Sequence, residues 1–127
     1  FKVTNWIINK VDKFISKSLN SKILLIGVAY KKNVNDSRES PGVKILDYFL
    51  KKKRSIQYFD PLVKEVEIGK KNIKSLKILN YKALKKYTAV IICTDHDGID
   101  FKKILNFSNK IFDTRGIYNQ NKKVIFC

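Results

Sequence analysis

Lys22-Ile23-Leu24-Leu25-Ile26-Gly27-Val28-Ala29 is the stretch that decides the fold. It is short, continuously apolar and rich in branched side chains, and glycine interrupts it near its end. Such a run reads as a strand buried on both faces, as inside a parallel sheet, because a half-exposed strand would alternate apolar with polar residues. Downstream, a polar stretch from Tyr30 to Ser40 leads into a helix from Pro41 to about Lys53. Ser40 suits the N-cap, and Pro41 sits where a missing N–H costs nothing. Val43, Ile45, Leu46, Phe49 and Leu50 form the helix's apolar face. Ser55 to Phe59 reads as a second strand stopped by Asp60-Pro61, and Ala89 to Cys93 as another buried strand. Strands at Lys110 to Phe112 and Lys123 to Cys127, with helical turns at Tyr81 to Lys86 and Phe101 to Leu105, complete the alternation. Residues 62–79 carry only a weak pattern. Upstream, Val3, Trp6, Ile7, Val11, Phe14, Ile15 and Leu19 recur at helical spacing, and Asn20-Ser21 breaks that helix. Alternating buried strands and amphipathic helices predict an α/β fold, a Rossmann-like doubly wound and mainly parallel sheet with flanking helices, preceded by an N-terminal helix.

The chain has 127 residues, room for one domain with a real core. Aromatic residues at 12% exclude a disordered basic tail. No apolar run approaches the ~18 residues that span a bilayer. Two cysteines make no disulfide scaffold, so a reducing cytoplasm is the expected compartment. A chain that lacks Met and begins at Phe1 is expected to be a segment of a longer product. The net charge of +16 suggests a phosphate-bearing partner, and a Lys-rich nucleic-acid-binding module is one reading of it. Its make-up points elsewhere, since 24 of the 27 cations are Lys and only 3 are the Arg that base-reading surfaces favour. With 17 Ile and 11 Asn beside them, the lysines read as an AT-rich codon bias on a solvated surface, and no nucleic-acid partner is expected.

Doubly wound sheets bind ligands beyond the carboxyl ends of their strands, so the segments to weigh are 27–40, 60–61, 94–98 and 113–116. The first lacks a G-x-G-x-x-G fingerprint. It places Lys31 just beyond a strand and Arg38 shortly before a helix N-terminus, an arrangement suited to an anion; Arg38 paired with Asp36 or Glu39 is the alternative. Arg115 emerges at the same sheet edge as Lys31, and two cations there suit a di-anion, unless Arg115 pairs with Asp113. Tyr30 either faces a base or ribose or packs in the core. Asp60 either holds a ribose hydroxyl or makes an ordinary Asp-Pro turn. Asp95-His96-Asp97-Gly98-Ile99-Asp100 lacks the closing Glu of a calcium loop, and no metal is expected. His96 is the only histidine and reads as a hydrogen-bonding group; Cys93, in an apolar run, and the terminal Cys127 lack a nucleophile's setting.

At these segments the chain resembles the nucleotide-sugar 6-dehydrogenases. The resemblance rests on Ile26 to Pro41 (I-G-V-A-Y-K-K-N-V-N-D-S-R-E-S-P), Tyr58-Phe59-Asp60-Pro61, Thr94-Asp95-His96-Asp97 and Phe112-Asp113-Thr114-Arg115-Gly116, in order over residues 22–127. It implies a UDP-binding C-terminal domain over residues 21–127, with residues 1–20 as the end of an inter-domain linking and dimerisation helix. Tyr30, Lys31 and Arg115 match positions that contact the UDP-sugar, and Arg38 matches one that reaches NAD across the cleft. The resemblance further implies two NAD-dependent oxidations of the sugar C6 alcohol to a carboxylate, through a thioester on a cysteine, serving capsule or similar surface polysaccharide. Its partners would be a UDP-sugar, an N-terminal NAD-binding domain of the same enzyme and a homodimer or higher homo-oligomer. The glycine-rich NAD fingerprint and the catalytic-cysteine segment have no counterpart in these residues, so no catalytic residue is assigned and the chain alone is expected to be inactive. R-E-S-P, T-D-H-D-G-I-D-F and D-T-R-G-I-Y resemble the UDP-N-acetylhexosamine branch more than the UDP-glucose branch.

Overall fold

The computed structural model describes residues 2–18 and 20–127, with side chains from Thr4 onward. Leu19 and the Val3 side chain, both counted above on the helical stripe, lie outside what is described. The interior strand β1 (Lys22–Ile26) is the expected one, though it stops before Gly27. Ile23, Leu24, Leu25 and Ile26 are all fully buried. At about 1.5–3 kcal/mol for each buried aliphatic side chain, these four contribute burial of the same order as the net stability of a domain. Gly27 turns the chain with φ +88°, and a Cβ there would stand 2.4 Å from the Thr94 Cβ.

Helix α1 (Lys2–Ile15) precedes β1, and α2 (Pro41–Lys51) follows it. The α1 stripe of Ile7, Ile8, Val11 and Ile15 is buried in the same core as α2, while Trp6 stays 55% exposed beneath Lys10. The helix therefore hides most of its apolar face within this chain. It also ends earlier than the periodicity suggests, at Ile15, whose carbonyl accepts from Ser21 Oγ at 3.0 Å. α2 starts as expected: Ser40 Oγ accepts from the Val43 N–H at 3.1 Å and donates to the Val28 carbonyl at 2.6 Å. Gly42 permits a close approach of helix to strand, since a Cβ would meet the Gly27 carbonyl at 2.7 Å.

After β2 (Ser55–Phe59), residues 62–79 hold what the weak pattern hid, a hairpin of β3 (Glu65–Ile68) and β4 (Lys71–Lys74). Its two-residue turn is Gly69-Lys70, with Gly69 at φ +62°, and Val66 pairs with Ile73. A 3-10 helix (Tyr81–Lys86) precedes β5 (Ala89–Ile92), and α3 (Phe101–Phe107), β6 (Ile111–Asp113) and β7 (Val124–Phe126) complete the chain. The main sheet runs β2-β1-β5-β6-β7 with every pairing parallel. The α1, α2 and hairpin side packs one core cluster, and the 3-10 helix and α3 side packs the other. From β1 the chain first winds to one side, to β2, and later to the other, to β5. The switch point of the fold thus lies between β1 and β5, and it is beyond the strand ends at such a point that doubly wound sheets bind ligands in a crevice.

Candidate functional site

Four strand ends, those of β2, β1, β5 and β6, lie at this edge, and a buried carboxylate links the first three. Asp60 follows β2 and is 2% exposed. Its Oδ2 accepts from the Val28 and Ala29 N–H groups at 2.8 and 3.0 Å, and its Oδ1 from the Leu62 and Val63 N–H groups at 2.9 and 3.2 Å. His96 Nε2 lies 3.0 Å from both oxygens. The opposite ring nitrogen, Nδ1, accepts from the Asn33 N–H at 2.8 Å. That acceptor role leaves the proton on Nε2, aimed at Asp60. Asp60 therefore has no capacity left for a ribose hydroxyl, and the ribose reading gives way to a hub that holds the loop after β1. His96 is the hydrogen-bonding group expected, and its bonds tie the loop after β5 to the other two.

The same loops are joined further out. Thr94 Oγ1 donates to the Ala29 carbonyl at 2.9 Å. The Asn33 side-chain amide donates to Asp97 Oδ2 at 2.8 Å and accepts from the Asp97 N–H at 3.0 Å. Asn33 sits at φ +62° and Glu39 at φ +58°, so the loop turns sharply at both ends of its exposed arc. The result is a fixed frame from which Tyr30, 58% exposed, and Lys31, also exposed, project into solvent. Among the described residues neither side chain has a hydrogen-bond or ion-pair partner. Of the two readings for Tyr30, core packing is excluded.

Arg38 takes the pairing that the sequence left open. Its Nε and Nη2 donate to the two oxygens of Asp36, each at 3.1 Å, while its side chain remains 88% exposed. These bonds hold the Asp36 carboxyl below its usual range and raise Arg38. Arg115, after β6, has a different partner from the one weighed: its Nε lies 3.5 Å from Asp95 Oδ1. Asp113 is occupied instead by the Arg115, Gly116 and Tyr118 N–H groups, at 2.9, 2.9 and 3.0 Å. It shapes the turn that presents Arg115, as Asp60 shapes the loop that presents Lys31. The half-exposed Arg115–Asp95 pair is worth well under ~1 kcal/mol, so an anion can compete for the guanidinium.

The two thiols are poor nucleophiles. Burial pushes Cys93 up to about 12, and burial also raises Cys127. Among the described residues no cluster of His, Cys, Asp and Glu could hold a metal ion, and no helix is long and apolar enough to cross a membrane. Asp60, Asn33, Thr94 and Asp97, which set the frame, were not legible as a group in the sequence. The one available signal was that each lies just past a strand or in the first loop.

Comparison with known proteins supplies an independent line. Residues 24–120 match the family model described as the UDP-glucose/GDP-mannose dehydrogenase family, UDP binding domain. A UDP-N-acetyl-D-mannosamine dehydrogenase of Methanococcus aeolicus is 31% identical over 80% of this chain and 24% of its own length. UDP-glucose 6-dehydrogenase 4 of Arabidopsis thaliana is 28% identical over 88% of this chain and 29% of its own length. In fold, the chain is similar to the UDP-N-acetyl-mannosamine dehydrogenase Cap5O from Staphylococcus aureus, with a TM-score of 0.70 at 22% identity, covering 97% of this chain and 29% of that one. The chain spans under a third of the length of these relatives. The matched residues run from within β1 to beyond the Arg115 turn and so contain all four of these strand ends. By that match the chain belongs to the UDP-glucose/GDP-mannose dehydrogenase family and carries its UDP-binding domain.

Proposed function

We propose that this chain forms the UDP-sugar-holding wall of an NAD-dependent UDP-sugar 6-dehydrogenase, with a UDP-N-acetylhexosamine as substrate. What supports this reading is that unpartnered Tyr30 and Lys31, and the weakly paired Arg115, follow the carboxyl ends of β1 and β6, parallel strands on either side of β5 at the switch point. Lys31 supplies a point charge and Arg115 a planar fork to the diphosphate, while the Tyr30 ring offers a face or a hydroxyl to the uridine. All three stand on turns fixed by buried carboxylates, so little ordering cost falls on binding. Holding the diphosphate places the sugar C6 for chemistry performed by other parts of the enzyme. The UDP-N-acetylmannosamine dehydrogenases among the relatives support the hexosamine choice. Residues 21–127 make up this binding domain, and α1 before them is the end of a linking helix whose exposed Trp6 face belongs to a homo-oligomer. The uronic acid produced would serve capsule or similar surface polysaccharide, made in the cytoplasm.

The chain's own residues fit a single contact to NAD. The N-terminus of α2 is closed as a pyrophosphate cradle, because Ser40 Oγ already takes the Val43 N–H and Pro41 has none to give. Arg38 remains, exposed and held in shape by Asp36, as the residue that would reach NAD across the cleft. When bound, NAD would accept hydride from the C6 carbon; this chain contributes orientation and charge.

Calorimetric titration of the chain with UDP at physiological salt tests the reading. A bound phosphate hydrogen bond of about 1.5–3 kcal/mol predicts that Lys31→Ala and Arg115→Ala each weaken UDP by roughly 10- to 100-fold. Unchanged affinity in both variants would overturn the site. Absence of UDP binding alongside tight, steeply salt-dependent binding of a short DNA duplex would favour the nucleic-acid module instead.

A further inference from the structure

A cavity of about 540 Å³ lies at the end of β2, between the Asp60-Pro61 turn and the segment that follows β4. Its apolar lining comes from Phe59, Pro61 and Leu76, and its cations are Lys64, Lys74 and Lys77. The segment that forms the far side is firmly anchored. The Leu76 N–H donates to the Tyr58 carbonyl at 2.9 Å, and Ser75 Oγ accepts from the Asp60 N–H at 2.9 Å. Phe59 and Leu76 are half-buried, so the apolar surface is a fixed part of the fold. The three lysines are exposed, and among the described residues none of their ammonium groups has an ion-pair partner. Glu65, the one exposed carboxylate lining the cavity, sits opposite Lys74 in the hairpin register, yet it accepts from the Asn72 amide at 3.0 Å. The cavity therefore offers an apolar seat beside net positive charge.

Binding sites of this size are mostly apolar with a few convergent polar groups. A phosphate alone would leave the apolar lining wet, and an uncharged ring would leave the lysines unused. We propose that this cavity is a second anion site, taking a ligand that joins a flat ring to a phosphate, the chemistry of a nucleoside monophosphate. The ring covers Phe59, Pro61 and Leu76, and the phosphate lies among Lys64, Lys74 and Lys77. Lys31 and Arg115, on the turns after β1 and β6, take no part in it.

The test is a heteronuclear NMR titration of the isotopically labelled 127-residue chain at physiological salt, with AMP, adenosine and inorganic phosphate in separate arms. AMP is expected to shift the amides of residues 59–60, 64–65 and 74–77, with at least tenfold tighter binding than either fragment. Lys74→Glu with Lys77→Glu is expected to weaken AMP at least tenfold; both positions are exposed, and a correlation spectrum checks the fold. Lys31→Ala with Arg115→Ala is expected to leave AMP binding unchanged, which separates this site from the UDP reading. Shifts confined to residues 28–38 and 94–116, phosphate binding as tightly as AMP, or no shift at millimolar AMP would each overturn the proposal. If the double Glu variant fails to fold, the wild-type shift map and the fragment comparison decide alone.

Discussion

Replacing Asp60 by Asn keeps the side chain's shape and removes one acceptor, which makes it the sharpest probe of how the crevice is built. In the native chain each carboxylate oxygen receives two backbone N–H groups, from Val28 and Ala29 on one side and Leu62 and Val63 on the other. Whichever way the new amide turns, its NH₂ faces one of those pairs, and two buried donors lose their acceptor. A buried unsatisfied polar group costs about 1–3 kcal/mol, so the pair costs about 2–6 kcal/mol. Against a total stability of roughly 5–15 kcal/mol, that is a large fraction. At roughly 4 °C per kcal/mol for a chain of this length, Asp60→Asn should lower Tm by on the order of 10–20 °C. Thermal melts followed by circular dichroism measure this, with Asp47→Asn as the control. Asp47 makes only an i,i+4 pair with Lys51 at 3.2 Å, worth about 0.5 kcal/mol or less. Hydrogen exchange at Val28 and Ala29 should accelerate in Asp60→Asn. A melt within 3 °C (about 1 kcal/mol) of the wild type, or unchanged exchange at those amides, would refute the hub.

Gly27→Ala should destabilise the chain by about 2–5 kcal/mol, since φ is +88° and the new methyl meets Thr94 Cβ at 2.4 Å and its backbone N and O at 2.7 Å. Gly98→Ala, at the same φ with nothing within 4 Å, should cost only the backbone part of about 1–2 kcal/mol; equal urea midpoints for the two variants would count against the steric argument. Alkali should unfold the chain through its buried acids, because burial raises Tyr58 from 10.0 to about 12 and Cys93 from 9.0 to about 12. Both groups stay neutral in the folded chain while the unfolded one ionises, so their stabilisation is complete below pH 9 and is lost as pH rises toward 12. Urea midpoints that held constant or increased over that range would contradict the assignment.

The parts of the fold legible in sequence were those whose signal is local. β1 and β5 announce themselves as unbroken apolar runs because both faces of a central parallel strand are covered. α2 announces itself through Ser40-Pro41, since a helix's first turn needs an acceptor and tolerates a missing donor. The β3–β4 hairpin escaped because its strands are only four residues long and half charged, and only Val66, Ile68 and Ile73 mark the face that packs. Gly69-Lys70 between two alternating segments was the usable clue. The end of α1 was overestimated for the opposite reason, as helical spacing continues to Leu19 although Ser21 closes the helix at Ile15.

At the crevice, sequence alone determined that cations at 31, 38 and 115 follow or precede regular elements at one sheet edge, because parallel strands deliver all their carboxyl ends to the same side. Only the tertiary structure decided what each does there. Asp60 lies 31 to 36 residues from Val28, Ala29 and His96, and Arg115 found Asp95 in place of the neighbouring Asp113. Hydrogen bonds and ion pairs are chosen by distance and burial in space, and a sequence lists only neighbours along the chain. Lys31 has no ion-pair partner among the described residues, although Asp36 and Glu39 lie within eight residues of it along the chain.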